Sequence, residues 1–144
     1  MKRLDFLIVF ISLLVSSNCY SQPMMKTVND AQIIKTNEGQ FINKPLQDLL
    51  KEIKPQIKRV TASPSKNIQS SVGYLLFNFV DSKQKDSLRA KQKTPVTIVV
   101  YVKEYFEWDF QKRPKGKETV WTQEDAKRYG NLTIVGFRVY GDDL

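Results

Sequence analysis

The chain has no histidine and a single cysteine in its 144 residues. Without histidine the Ser-His-Asp and Cys-His nucleophile systems are excluded, and so are imidazole metal ligands. One thiol closes no internal disulfide, and it cannot supply the ligand set of a zinc, haem or iron–sulfur site. Glycine is scarce, with six residues. Neither G-x-G-x-x-G nor G-x-x-x-x-G-K-[ST] occurs, and Gly116-Lys117-Glu118 is only a fragment of the second cradle. No cofactor and no metal are expected. Ser63-Pro64-Ser65-Lys66 has the S-x-x-K spacing of penicillin-recognising serine enzymes, but S-D-N and K-T-G elements are missing, so it reads as a polar loop. Long apolar runs are lacking too. The best, Phe6 to Val15, is broken by Ser12 and is too short to cross a hydrocarbon core of about 30 Å as a helix.

That run is informative in another way. It follows the positive start Met1-Lys2-Arg3 and precedes the small, polar stretch SSNCYSQ, the order of a secretory signal peptide, with Asp5 an unusual guest. Cleavage after Ser21 puts small residues Cys19 and Ser21 at the recognition positions and leaves a mature chain without cysteine. The alternative is an envelope lipoprotein anchored through Cys19, although Ser16 and Asn18 depart from the usual lipobox. Either route exports the protein, to the periplasm, the exterior or an envelope anchor. Removing residues 1–21 takes away Lys2, Arg3 and Asp5 and leaves most of the formal charge of +8 in place. A basic surface favours anionic partners.

The mature part reads as a flexible leader (22–30) and one domain (31–144). Residues 31–36 suggest a short strand and Asn37-Glu38-Gly39 a turn. Leu46, Leu49, Leu50 and Ile53 then fall at i, i+3, i+4 and i+7, one apolar stripe of a core helix over 42–53. Asn43 is placed to cap it, Pro45 suits its first turn, and Pro55 ends it. A strand is expected at 57–61. A central strand at 72–80, covered on both faces, comes next. Residues 81–93 predict an exposed basic helix capped by Asp81 or Ser82. The last pieces are a helix over 123–129, capped by Thr122 and stopped by a left-handed Gly130, and an interior strand over 132–140.

Between positions 96 and 110 every even residue except Glu104 is apolar, a period of two that predicts one long strand with a bulge or bend at Glu104. A turn centred on Lys115-Gly116 makes it a hairpin, with Arg113 facing Glu118 and Phe110 facing Trp121 as favourable cross-strand pairs. The hairpin tip is the candidate ligand or partner surface: Tyr105, Trp108, Lys112, Arg113, Lys115 and Lys117, with Trp121 behind. Cations among aromatics on a rigid scaffold suit an anionic ligand, and they equally suit a solvated tip. Glu107 and Asp109 would lie on one strand face about 7 Å apart, within the carboxyl separation of inverting glycosidases.

These elements give an α+β fold: a single twisted, mainly antiparallel sheet of about four to six strands, one core helix and two short helices. A short capped helix leading into an antiparallel meander resembles the small secreted α+β proteins of the Gram-negative bacterial envelope, a resemblance that carries over no site residue. The function expected is non-enzymatic binding, with another envelope protein, a glycan or an anionic surface as partner. The alternative is a carboxylate-based glycan-acting enzyme. Charge and aromatics also suit nucleic acid, which the export signal disfavours.

Overall fold

The computed structural model describes residues 22–64 and 72–141. The expected signal peptide with Cys19, Lys66 of the S-x-x-K stretch and residues 142–144 lie outside the described residues, while Ser63 of that stretch ends a strand rather than lying in the expected polar loop. The fold is α+β. Among the described residues four α-helices, α1 (Ala31–Thr36), α2 (Leu46–Lys51), α3 (Ser82–Ala90) and α4 (Gln123–Tyr129), accompany one sheet of β1 (Arg59–Ser63), β2 (Gly73–Asn78), β3 (Thr97–Val102) and β4 (Ile134–Tyr140). The strands lie side by side in chain order, every neighbour antiparallel.

Alternation along the strands separates two faces. Val60, Phe77, Ile98 and Val139 form one cross-strand row of the inner face, and Ala62, Leu75, Val100 and Phe137 the next. Ala31 and Ile34 of α1, Leu46 and Leu49 of α2 and Tyr129 of α4 pack onto this face. Burying a Leu or Phe side chain stabilises by about 1.5–3 kcal/mol, so this one layer holds the domain. The outer face has the rows Arg59–Asn78–Thr97–Tyr140, Thr61–Leu76–Val99–Arg138 and Ser63–Tyr74–Tyr101–Gly136. None of these twelve residues is acidic. Among the described helices, α3 flanks that side.

Several local expectations are corrected. Residues 22–30 are no leader: Met25 is fully buried, its N–H donates to Glu52 O, and its own carbonyl accepts from Lys54 N. Residues 31–36 form a helix, since Ala31 and Ile34 share its buried face at a spacing of three. The core helix is shorter than its apolar stripe. Asn43 adopts a positive φ of 62° rather than capping, and Pro45 is the extended N-cap because it bridges Thr133 of the segment leading into β4. Strand β2 is central, but its alternate residues are only half buried, as expected of an antiparallel sheet with one face open.

Strand β4 lies at an edge, not inside. Its unpaired side is covered by two devices that sequence periodicity does not register. Asn43 N donates to Ile134 O at 2.8 Å, and Ile134 N to Lys44 O at 2.9 Å. Further along, Lys35 and Glu38 form an ion pair that takes the place of a neighbouring strand. Lys35 Nζ donates to Phe137 O at 3.1 Å, and Phe137 N donates to a Glu38 carboxylate oxygen at 3.3 Å. Charged groups on an edge also discourage pairing with another chain. The Lys35 hydrogen bond is the main reason the Glu38 carboxyl titrates below its ordinary range.

Helices α3 and α4 follow their sequence signals. Gln84 N donates to Asp81 Oδ1 at 2.8 Å, and Asp81 N donates in return to the Gln84 side-chain oxygen at 3.1 Å, closing a capping box. Thr122 and Asp125 do the same for α4. Gly130 is right-handed (φ −59°), so its glycine is explained by proximity rather than by a left-handed stop. A Cβ there would lie 3.3 Å from Gln47 Cβ, where α2 crosses, and Gln47 N donates to Gly130 O.

Candidate functional site

Residues 103–121 form no paired ribbon. Strand β3 ends at Val102 after a register shift beside Tyr101, and the chain leaves the sheet. The break at Glu104 is real. Its carboxylate turns back to take the N–H and hydroxyl of Thr133, and those bonds outweigh a desolvation penalty to hold its pKa low. The turn at Lys115-Gly116 also forms, with Gly116 at φ 81° and Lys117 N bonded to Pro114 O. Its arms do not pair with each other. Residues 119–121 instead pair with the open edge of β1: Val60 N donates to Thr119 O at 2.7 Å, and Val120 bridges Arg59. A strand edge with ready hydrogen bonds outcompeted the local hairpin.

The aromatics follow that route inward. Tyr129 of α4 sits among Phe106, Trp108 and Trp121, with ring centroids 5.7, 5.4 and 6.4 Å away, and Trp121 packs edge-on against Phe77 of β2 at 5.0 Å. Its hydroxyl donates to Glu107 O at 2.8 Å, and burial raises its pKa. Arg113 does not face Glu118. It lies over the Trp108 ring with its guanidinium carbon 3.7 Å from the centroid, makes a two-pronged ion pair with Asp125, and donates to Val120 O at 3.0 Å. Both side chains of that pair are largely buried, at 17% and 8% exposure. Asp125 in turn accepts from Thr122. One arginine therefore ties the crossover to the start of α4.

The six residues proposed for the tip are thus divided. Trp108 and Arg113 are committed to this packing. Lys112 pairs with Asp109 at 2.6 Å. Lys115 and Lys117 point into solvent around the turn, and Tyr105 is exposed some distance along the chain. Glu107 and Asp109 share no strand, which removes the spacing on which a two-carboxylate pair was based. Both border a cleft of about 430 Å³ that also holds Lys112, Arg113 and Arg128. There the Lys112 hydrogen bond lowers the Asp109 pKa, opposite to what a general acid needs.

A second cleft, of about 570 Å³, lies between α3 and the outer face of the sheet. Arg59, Lys85, Arg89 and Lys93 line it together with Leu76, Asn78, Thr97 and Tyr140, and among the described residues no carboxylate does. Arg59 is held in place: Nε donates to Thr119 Oγ1 at 3.1 Å and Nη1 to Ser82 Oγ at 2.9 Å. It therefore joins β1, the crossover and the first turn of α3. Among the described residues neither Lys85 nor Arg89 has an ion-pair partner. Helix α3 buries no residue at all, and Lys58 Nζ steadies its start through Gln84 at 2.7 Å. Such a helix contributes little to the core; its inner side presents charge to the sheet.

This site was missed because the basic outer face of 81–93 looks like any solvated helix. The usable signal was the spacing of Lys85 and Arg89, one helical turn apart, with Lys93 beyond them and Pro95 returning the chain to the sheet. Arg59 has no such signal, since only the tertiary fold brings it there. Comparisons with protein-family models, with curated proteins and with solved structures each found no match.

Proposed function

We propose that the protein is an exported, non-enzymatic binding module whose ligand is anionic and whose site is the cleft between α3 and the outer sheet face. The observation that carries this reading is the lining: four cations and, among the described residues, no carboxylate around a space of about 570 Å³, a volume in the range of small-ligand sites. Like charges such as Arg59, Lys85 and Arg89 held together repel one another, and an anion relieves that repulsion. Arg59 supplies the fixed donor fork that suits carboxylate or phosphate, while Lys85 and Arg89 add mobile charge. Export is supported by the sequence of residues 1–21. Every buried residue described, from Met25 onward, lies after Ser21 and is kept on cleavage there.

Titration of tripolyphosphate into the mature protein, followed by calorimetry at about 50 and 300 mM salt, tests the binding. Saturable binding that weakens at the higher salt is expected. No heat of binding at low salt would reject the reading. The intact mass of the exported protein separately distinguishes cleavage after Ser21 from acylation at Cys19.

A further inference from the structure

The cleft does not end at Tyr140. It opens onto the rest of the outer sheet face, and the chemistry changes along that face. Near α3 the charge is dense. Two rows further along lie Tyr74 and Tyr101, edge to face at 6.2 Å, beside Gly136 on β4. The distance between those rows is four residues, about 13 Å along a strand. A single cation, Arg138, stands between them, its guanidinium carbon 6.0 Å from the Tyr101 ring and Nη1 3.4 Å from the Tyr140 hydroxyl. The far row, Ser63–Tyr74–Tyr101–Gly136, has hydroxyls, rings and no charge.

A glycine inside a strand marks a place where something approaches the backbone closely. The nearest neighbour of a Cβ built on Gly136 is Tyr101 Cδ2 at 3.9 Å, ordinary contact distance, so packing within the sheet does not require glycine there. Its φ is negative, so backbone strain does not require it either. Glycine leaves room there between the Tyr101 ring and the Glu38 carboxylate, whose Oε1 lies 4.0 Å from that Cβ and can accept a hydrogen bond from a sugar hydroxyl.

We propose that this face binds an oligosaccharide that carries its charge on one terminal sugar, a sugar acid or a sugar phosphate. The inference deepens the anion-binding reading above and rests on it. The charged sugar occupies the cleft against Arg59, Lys85 and Arg89, and a neutral sugar about 13 Å away lies over Gly136 against Tyr101. Aromatic rings pack against the C–H faces of pyranose rings, while their hydroxyls exchange hydrogen bonds with the sugar's own. Single-stranded nucleic acid fits less well. It carries a phosphate at every nucleotide and calls for cations along the whole track, whereas the far row has none.

The test titrates the mature protein with sialyllactose (carboxylate), maltotriose 1-phosphate (phosphate), lactose, free sialic acid and pentathymidylate, following backbone amide shifts by NMR. At least one charged trisaccharide is expected to bind tenfold or more tighter than lactose or sialic acid, and to shift Gly136 and Tyr101 as well as Lys85 and Arg89. The identity of the tighter trisaccharide then separates carboxylate from phosphate. Tyr101→Ser should bring its affinity down to that of the free acid, while Lys85→Glu with Arg89→Glu removes binding of every anion. The wild-type shift map stands on its own if the Tyr101 variant fails to fold. Trisaccharides no tighter than the free acid, or no shift at Gly136, overturn the glycan assignment while leaving an anion site in place. Tighter binding of pentathymidylate overturns it in favour of nucleic acid. Silence toward all the anions, tripolyphosphate included, overturns both readings.

Discussion

Two stretches of this chain have nearly the same composition and opposite uses. The crossover from Phe106 to Trp121 mixes aromatics with four cations, and the outer sheet face with α3 also mixes aromatics with cations. In the crossover Phe106, Trp108 and Trp121 turn inward onto Tyr129, and Arg113 is consumed by Trp108, Asp125 and Val120 O. On the outer face, Lys85 and Arg89 have no acidic partner among the described residues, and α3 buries nothing. The difference lies in what each cation can reach. A basic, aromatic stretch is structural where the fold supplies a carboxylate and a ring to pack on, and is available for a ligand where it supplies neither.

The contrast can be broken first at the crossover. Arg113→Ala or Asp125→Asn should lose about 3–5 kcal/mol in urea unfolding, since each leaves a largely buried charge or its partner uncompensated. Loss of less than 1 kcal/mol would show that the crossover is not held in this way. Tyr129→Phe is gentler. It deletes the hydroxyl that donates to Glu107 O and leaves that acceptor unpaired, a cost of about 1 kcal/mol in thermal melts.

The covered edge of β4 gives a comparable effect that depends on pH. Glu38→Gln should destabilise by about 0.5–1 kcal/mol by loosening the ion pair on Phe137, with the exposure of both side chains keeping the figure small. Because the folded pKa of Glu38 lies below its ordinary 4.5, its contribution is complete above that value and fades as pH falls through the folded pKa. Wild type and Glu38→Gln should therefore converge in stability in acid; a gap that persists or widens there would contradict the assignment. The smallest effect belongs to the cleft. Lys85→Glu combined with Arg89→Glu should change stability by no more than about 0.5 kcal/mol, because an exposed helix that buries nothing has little to lose. A large drop in melting temperature would mean that α3 is part of the core after all.

The fold class was legible because its signals are local and repeated. An apolar run marked β2, alternation marked β3, the i, i+3, i+4 stripe marked α2, and N-cap residues at Asp81 and Thr122 placed the starts of α3 and α4. What was not legible depended on partners far away in sequence. Period two continues past Val102 to Phe110, yet those side chains alternate between the Tyr129 cluster and solvent without a strand between them. Phe106 is buried, while Phe110 is 52% exposed. The hairpin register was sound as local chemistry and lost to a pairing between Thr119 and Val60, far apart in the chain. Residues 31–36 hold two adjacent isoleucines, which suit a strand or one side of a helix equally; packing against β4 decided for the helix. As for the site, the helix cations were visible and their meaning was not, because only the folded sheet places Arg59 opposite them.

The most direct test sets the two regions against each other with one probe. Tripolyphosphate affinity is measured for wild type, for Lys85→Glu with Arg89→Glu, and for Lys115→Glu with Lys117→Glu, two variants with the same change in net charge. The first pair should lose at least tenfold in affinity, and the second should stay within about twofold of wild type, the modest loss that long-range screening allows. Equal losses in both, or the larger loss at 115 and 117, would contradict the account.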